Sequence, residues 1–90
     1  MPYWRIPAPL RAYTGGLAEI AVSGETAGQA MESLVCLYPS LRPHLYNPRG
    51  ELRPFVNLFL GQDNIKTLQG LDTPLNPEDR LMLIPAVAGG

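Results

Sequence analysis

Three places in this 90-residue sequence hold residue types that do chemistry: a lone cysteine, Cys36, a lone histidine, His44, and the pair Gly89-Gly90 that closes it. Cys36 and His44 could in principle act as nucleophile and base, but a single Cys–His pair without a wider constellation is a weak signal. One cysteine forbids an internal disulfide, and one cysteine with one histidine cannot fill a structural zinc site. No metal site is expected, and no catalytic residue is assigned. The glycine pair is more specific. Glycine has no Cβ, so a backbone ending in two of them can pass a channel too narrow for other residues. Pro85, Ala86, Val87 and Ala88 ahead of them carry no charge. Such a tail can deliver its terminal carboxylate into the active site of another protein. The competing reading is an ordinary fraying end.

The rest of the chain must hold and present that tail. Bulky residues alternate over 4–6 and are closed by Pro7 and Pro9, which reads as a first strand. Residues 10–16 form a connection, with turn chemistry at Thr14-Gly15-Gly16. A strand over 17–22 puts Ala18, Ile20 and Val22 on one face and Glu19 on the other, completing an N-terminal hairpin. Thr26 and Gln29 have the spacing of a capping box and open a helix that Pro39 ends. Ala27, Ala30, Met31, Leu34, Val35 and Tyr38 form its apolar stripe, opposite Gln29, Glu32 and Ser33. Cys36 falls toward the polar side, which predicts a partly exposed, incidental thiol. Residues 41–53 are expected to be irregular, with a turn at Asn47-Pro48-Arg49-Gly50 and His44 in a proline-flanked loop. The clearest strand covers 55–60, with Val56, Leu58 and Leu60 on one face and Phe55, Asn57 and Phe59 on the other. A tight turn at 61–64, a short edge strand within 65–71, a turn region at 71–79 and a last strand at 81–84 complete the order.

One amphipathic helix needs one sheet face to cover it. The expected fold is α+β, a β-grasp or ubiquitin-like mixed sheet of four to five strands wrapped over one main helix. Its first and last strands lie parallel at the centre. Residues 1–84 form the domain and 85–90 a flexible tail. The length suits one domain with one small core. Apolar residues make up 46% and charged ones 17%, which excludes a highly charged disordered chain. A net charge of −1 gives no general attraction to nucleic acid or an anionic membrane. No apolar run is long enough to span a bilayer. The opening Met1-Pro2-Tyr3-Trp4-Arg5 lacks the plan of a signal peptide, so a cytoplasmic monomer is the default expectation.

The closing segment Asp79-Arg80-Leu81-Met82-Leu83-Ile84-Pro85-Ala86-Val87-Ala88-Gly89-Gly90 resembles the end of the ThiS/MoaD family of ubiquitin-like sulfur carriers. Ile6-Pro7-Ala8-Pro9-Leu10-Arg11-Ala12-Tyr13-Thr14-Gly15-Gly16 and Phe55-Val56-Asn57-Leu58-Phe59-Leu60 are similar to its CysO branch, which serves cysteine biosynthesis. The resemblance runs from Ile6 to Gly90. It implies a carrier that is not itself an enzyme and binds no cofactor of its own. A ubiquitin-activating-type adenylating enzyme would use ATP and magnesium to turn the Gly90 carboxylate, a poor electrophile, into an acyl-adenylate. A sulfur donor then leaves a thiocarboxylate. In the CysO branch the acceptor is a cysteine synthase with pyridoxal phosphate, and a metalloprotease releases the cysteine. On this resemblance Gly90 is the covalent site, Gly89 supports its passage, and Pro85, Ala86, Val87 and Ala88 are the stretch that partners grip.

The strand pattern adds a docking face. With Val56, Leu58, Leu60, Leu81 and Leu83 toward the helix, Phe55, Phe59 and Met82 face outward as an apolar patch. Arg5 and Arg80 on the same face would meet acidic residues of an adenylating enzyme. Three alternatives stay open. The tail chemistry is the same for a carrier serving molybdopterin, thiamin or a sulfur-containing metabolite. A ubiquitin-like modifier would join Gly90 to lysines. A plain interaction module would leave the glycines incidental.

Overall fold

The computed structural model describes residues 1–54 and 56–85. Strands β1 (Tyr3–Arg5) and β2 (Glu19–Ala21) form the expected antiparallel hairpin, with Trp4 opposite Ile20. Their connection is more ordered than its sequence suggests. Ala8–Tyr13 is a 3-10 helix that buries Leu10, and Gly15 and Gly16 turn the chain at positive φ. The Thr14 hydroxyl, buried, donates to the Leu17 carbonyl at 2.9 Å.

Helix α1 (Ala27–Leu37) starts where the cap predicts. Thr26 Oγ1 accepts from the Gln29 N–H at 3.2 Å, but the Gln29 side chain accepts from the Glu25 N–H, at 2.8 Å, and not from that of Thr26. The reciprocal bond therefore lands one residue upstream of the expected capping box. Ala27, Ala30, Met31, Leu34 and Val35 are buried, and Tyr38 is half-buried against them.

Residues 39–45 are helical, so the irregular segment expected from residue 41 begins only after Leu45. Pro39–Leu41 is a 3-10 turn that leads into helix α2 (Arg42–Leu45). Proline suits the first turn of a helix, because the N–H it lacks would have no intrahelical partner. Leu41 and Leu45, spaced to share one face, are both buried. The predicted turn follows: Asn47 Oδ1 accepts from the N–H groups of Arg49 and Glu51, and Gly50 has φ +82°.

Strand β3 (Val56–Leu60) turns through Gly61, at φ +61°, into β4 (Asp63–Asn64). The edge strand thus falls earlier than the expected 65–71. That stretch instead holds two 3-10 turns, Ile65–Thr67 and Gly70–Asp72. The Asn64 side chain accepts from the Lys66 N–H at 2.9 Å and so ends the strand by capping the next turn.

Strand β5 (Arg80–Pro85) lies between β1, parallel, and β3, antiparallel, giving the order β2-β1-β5-β3-β4. The first and last strands are neighbours, as the β-grasp requires. Leu58, Leu81 and Leu83 are essentially fully buried, each contributing about 1.5–3 kcal/mol. Pro85, expected as the first tail residue, is the last residue of β5, opposite Val56. The expectations for residues 86–90 and for Phe55 lie outside the described residues.

Candidate functional site

The sheet face away from α1 is built by strand alternation. Trp4, Leu81 and Leu58 point into the core, so their neighbours point out. The ladders set these in rows. Arg5 is in register with Glu19 on one side and Met82 on the other, and Met82 is in register with Phe59. One step toward the start of β5, Tyr3 is in register with Arg80, whose guanidinium stands 5.7 Å from the centre of the Tyr3 ring. Tyr3, Arg5, Glu19, Gly61, Arg80 and Met82 line a shallow pocket there. One step toward the end of β5, Ile84 is 40% exposed opposite Asn57.

The structure therefore brings Arg5, Arg80, Phe59 and Met82 onto one face. Phe59 is half-buried and Met82 is 38% exposed, so the patch is apolar at its middle and cationic beside it. Tyr3, Glu19 and Ile84 also belong to this face and were missed. Each sits two residues from an outward residue or across from one, so alternation was the signal. Among the described residues the ion pair is Arg42–Glu32, at 3.4 Å, and it is exposed; such a pair is worth about 0–1 kcal/mol. Arg5 and Arg80 take part in no ion pair among the described residues.

Cys36 is exposed, as its place on the helix predicts. His44 lies on α2, not in a loop, and stacks on Tyr13 with ring centroids 4.3 Å apart. Among the described residues no group of three or more His, Cys, Asp or Glu could hold a metal. No buried side-chain nitrogen or oxygen there lacks a hydrogen-bond partner. No described helix is long and apolar enough to cross a membrane. Among the described residues Tyr46 has a strongly displaced titration. Burial pushes its hydroxyl up to about 12, Glu32 adds to this, and Arg42 opposes it. Among the described residues the geometry offers an apolar and cationic sheet face across β1, β5 and β3.

The sequence profile of the ThiS family matches residues 4–90. The chain belongs to the ThiS family. One relative is the sulfur carrier protein CysO of Mycobacterium tuberculosis, 34% identical over 87 residues, with 94% of each chain covered. The fold agrees with that of a chain in the crystal structure of the Amycolatopsis orientalis BexX/CysO complex, at a TM-score of 0.88 and 26% identity, with both chains fully covered. It agrees equally with small archaeal modifier protein 1 of Methanosarcina acetivorans, at a TM-score of 0.86 and 29% identity, covering 99% of this chain and 95% of that one. Among its relatives this ThiS-family chain thus counts both sulfur carriers and protein modifiers, all small.

Proposed function

We propose that this ThiS-family chain is a sulfur carrier of the CysO type, activated at Gly90 by a separate adenylating enzyme. The observation that carries this reading is the extent of the family match, which runs through Gly89 and Gly90. The sheet supports it, because β5 leads from the exposed Met82 and Ile84 directly into the tail.

In the proposed reaction a Gly90 carboxylate oxygen attacks the α-phosphorus of ATP and pyrophosphate leaves. A sulfur nucleophile then attacks the carbonyl carbon and AMP leaves, so one oxygen is exchanged for sulfur. Magnesium serves the partner, not the carrier. Phe59 and Met82, with Phe55 as a third candidate, dock the partner, while Arg5 and Arg80 meet its acidic groups. Ala86, Val87, Ala88 and Gly89 thread Gly90 into the active site from Pro85, where β5 ends. In the cysteine-forming version a pyridoxal-phosphate enzyme accepts the sulfur and a metalloprotease frees the product.

The likeness to small archaeal modifier protein 1 favours a second reading, in which a target lysine amine attacks the activated Gly90. Carbonyl transfer to an amine then replaces transfer of sulfur. Both readings require adenylation. ATP–pyrophosphate exchange, measured with the organism's adenylating enzyme and the full chain, tests it. Exchange that disappears when Gly89 and Gly90 are removed is the expected result. Exchange unchanged by that deletion contradicts it.

A further inference from the structure

Three of the seven basic residues lie between α1 and β3, and the fold gathers them. Arg42, Arg49 and Arg53 line one open groove walled by Pro43, Tyr46 and Pro48. The Arg53 Nε–H donates to the Pro43 carbonyl at 3.0 Å, which fixes that side chain across the groove. The Arg42 guanidinium stands 5.4 Å from the centre of the Tyr46 ring. Two acids belong to this region. Glu32 contacts Arg42 at 3.4 Å, and Glu51 accepts from Asn47 Nδ2 at 3.3 Å.

The groove is joined to the strand that carries the tail. The Val56 N–H donates to the Arg53 carbonyl at 3.0 Å, and Val56 is in register with Pro85. Acidic residues gather toward the opposite end of β5. Asp79 precedes the strand and bonds the Tyr3 N–H through its carbonyl. Glu25 holds the Leu75 N–H the same way, and Asp72 and Glu78 flank that crossing. Arg80 stands at that end too and partly offsets these acids, whereas three arginines against two acids leave the groove cationic near the end of β5.

We propose that the Arg42–Arg49–Arg53 groove docks a carboxylate-rich protein surface beside the entrance that receives the tail. This rests on the carrier reading above. Guanidinium forks match carboxylates two bonds at a time, which favours acidic side chains as the occupant. The proline and tyrosine walls are stiff, so little ordering is needed on contact. A near-neutral chain has little long-range attraction overall, but a local cationic groove favours an acidic contact surface at short range. The groove shares no lining residue with the pocket on the sheet face, so it would add a second contact to that docking face.

The test follows pyrophosphate release by the organism's adenylating enzyme as a function of full-chain concentration, at low and high salt. Arg49→Glu is the main variant, because the Arg49 side chain is exposed and makes no hydrogen bond among those of the described residues. Arg42→Gln combined with Arg53→Gln is the second, and Asp72→Lys is the control at the acidic side. Arg49→Glu is expected to raise KM for the carrier about tenfold with kcat unchanged. Salt near ~0.5 M should remove most of that difference, and Asp72→Lys should not raise KM. If the double variant loses its fold by circular dichroism, Arg49→Glu decides alone. Unchanged KM for Arg49→Glu, with the wild-type chain active, overturns the groove and leaves the carrier reading standing. No turnover of the wild-type chain overturns both. Chemical shifts of the groove that move with sodium pyrophosphate alone would assign it to a small phosphate anion and overturn the proposal.

Discussion

The Trp4 indole N–H donates to the Ala30 carbonyl at 3.0 Å in the fully buried interior, tying β1 to the middle of α1. Trp4→Phe keeps an aromatic ring but removes the donor and some buried area. A loss of about 1–3 kcal/mol is predicted from urea unfolding followed by circular dichroism. A change below about 0.5 kcal/mol would show that the bond does not pin the helix.

Gly24 has φ +154°, and a Cβ there would stand 2.7 Å from the Ala30 nitrogen. Both the backbone conformation and the space exclude a side chain. Gly24→Ala is expected to destabilise by about 1–3 kcal/mol, read as a lower midpoint in the same urea titration. Gly61→Ala provides a contrast. It is strained by its φ of +61°, but no atom lies within 4 Å of the added carbon, so its loss should be smaller.

Tyr46 gives the fold an alkaline limit. Its hydroxyl is pushed up to about 12 from 10.0, first by burial and then by Glu32. Below the unfolded value the phenol is neutral in both states and stability does not depend on it. Between about 10 and 12 the unfolded chain ionises first, so stability falls as pH rises, by about 2–3 kcal/mol in all. Above the folded value the slope ends. Tyr46→Phe should lack this part of the slope in urea midpoints measured across that range. An identical slope in the variant would contradict the assignment.

The docking face separates stability from function. Met82 lies between Arg5 and Phe59 in register and is exposed. Met82→Glu and Arg80→Glu should change stability by no more than about 0.5–1 kcal/mol. Both should raise KM for the carrier several-fold in the adenylation assay. Variants that unfold, or that leave KM unchanged, would remove this face from the proposal.

Much of this was legible because it depends on periodicity. The stripe from Ala27 to Val35 and the alternation through Val56, Leu58, Leu81 and Leu83 fixed which faces meet, and the proline and glycine positions fixed most turns. Residues 39–45 were not legible. One turn of helix gives too few residues for a period, and prolines there read equally as breakers or starters. The edge strand was misplaced because Ile65 is a single buried apolar residue, which suits a 3-10 turn as well as a strand. The Tyr13–His44 stack and the gathering of Arg42, Arg49 and Arg53 depend on how the irregular segments return against the core. Spacing along the chain does not encode that. Gly89-Gly90 after an uncharged run marked the tail as a candidate site, and the chemistry expected of it came from the family resemblance and not from spacing.

The central claim is that Gly90 carries sulfur. The direct measurement is the intact mass of the full-length protein from its own organism, before and after incubation with its adenylating enzyme, ATP and sulfide. The account predicts a gain of about 16 Da, one oxygen replaced by one sulfur, localised to Gly90 by fragmentation. An unchanged mass with a competent enzyme and Gly90 at the terminus would contradict it, and family membership would then speak for the fold alone.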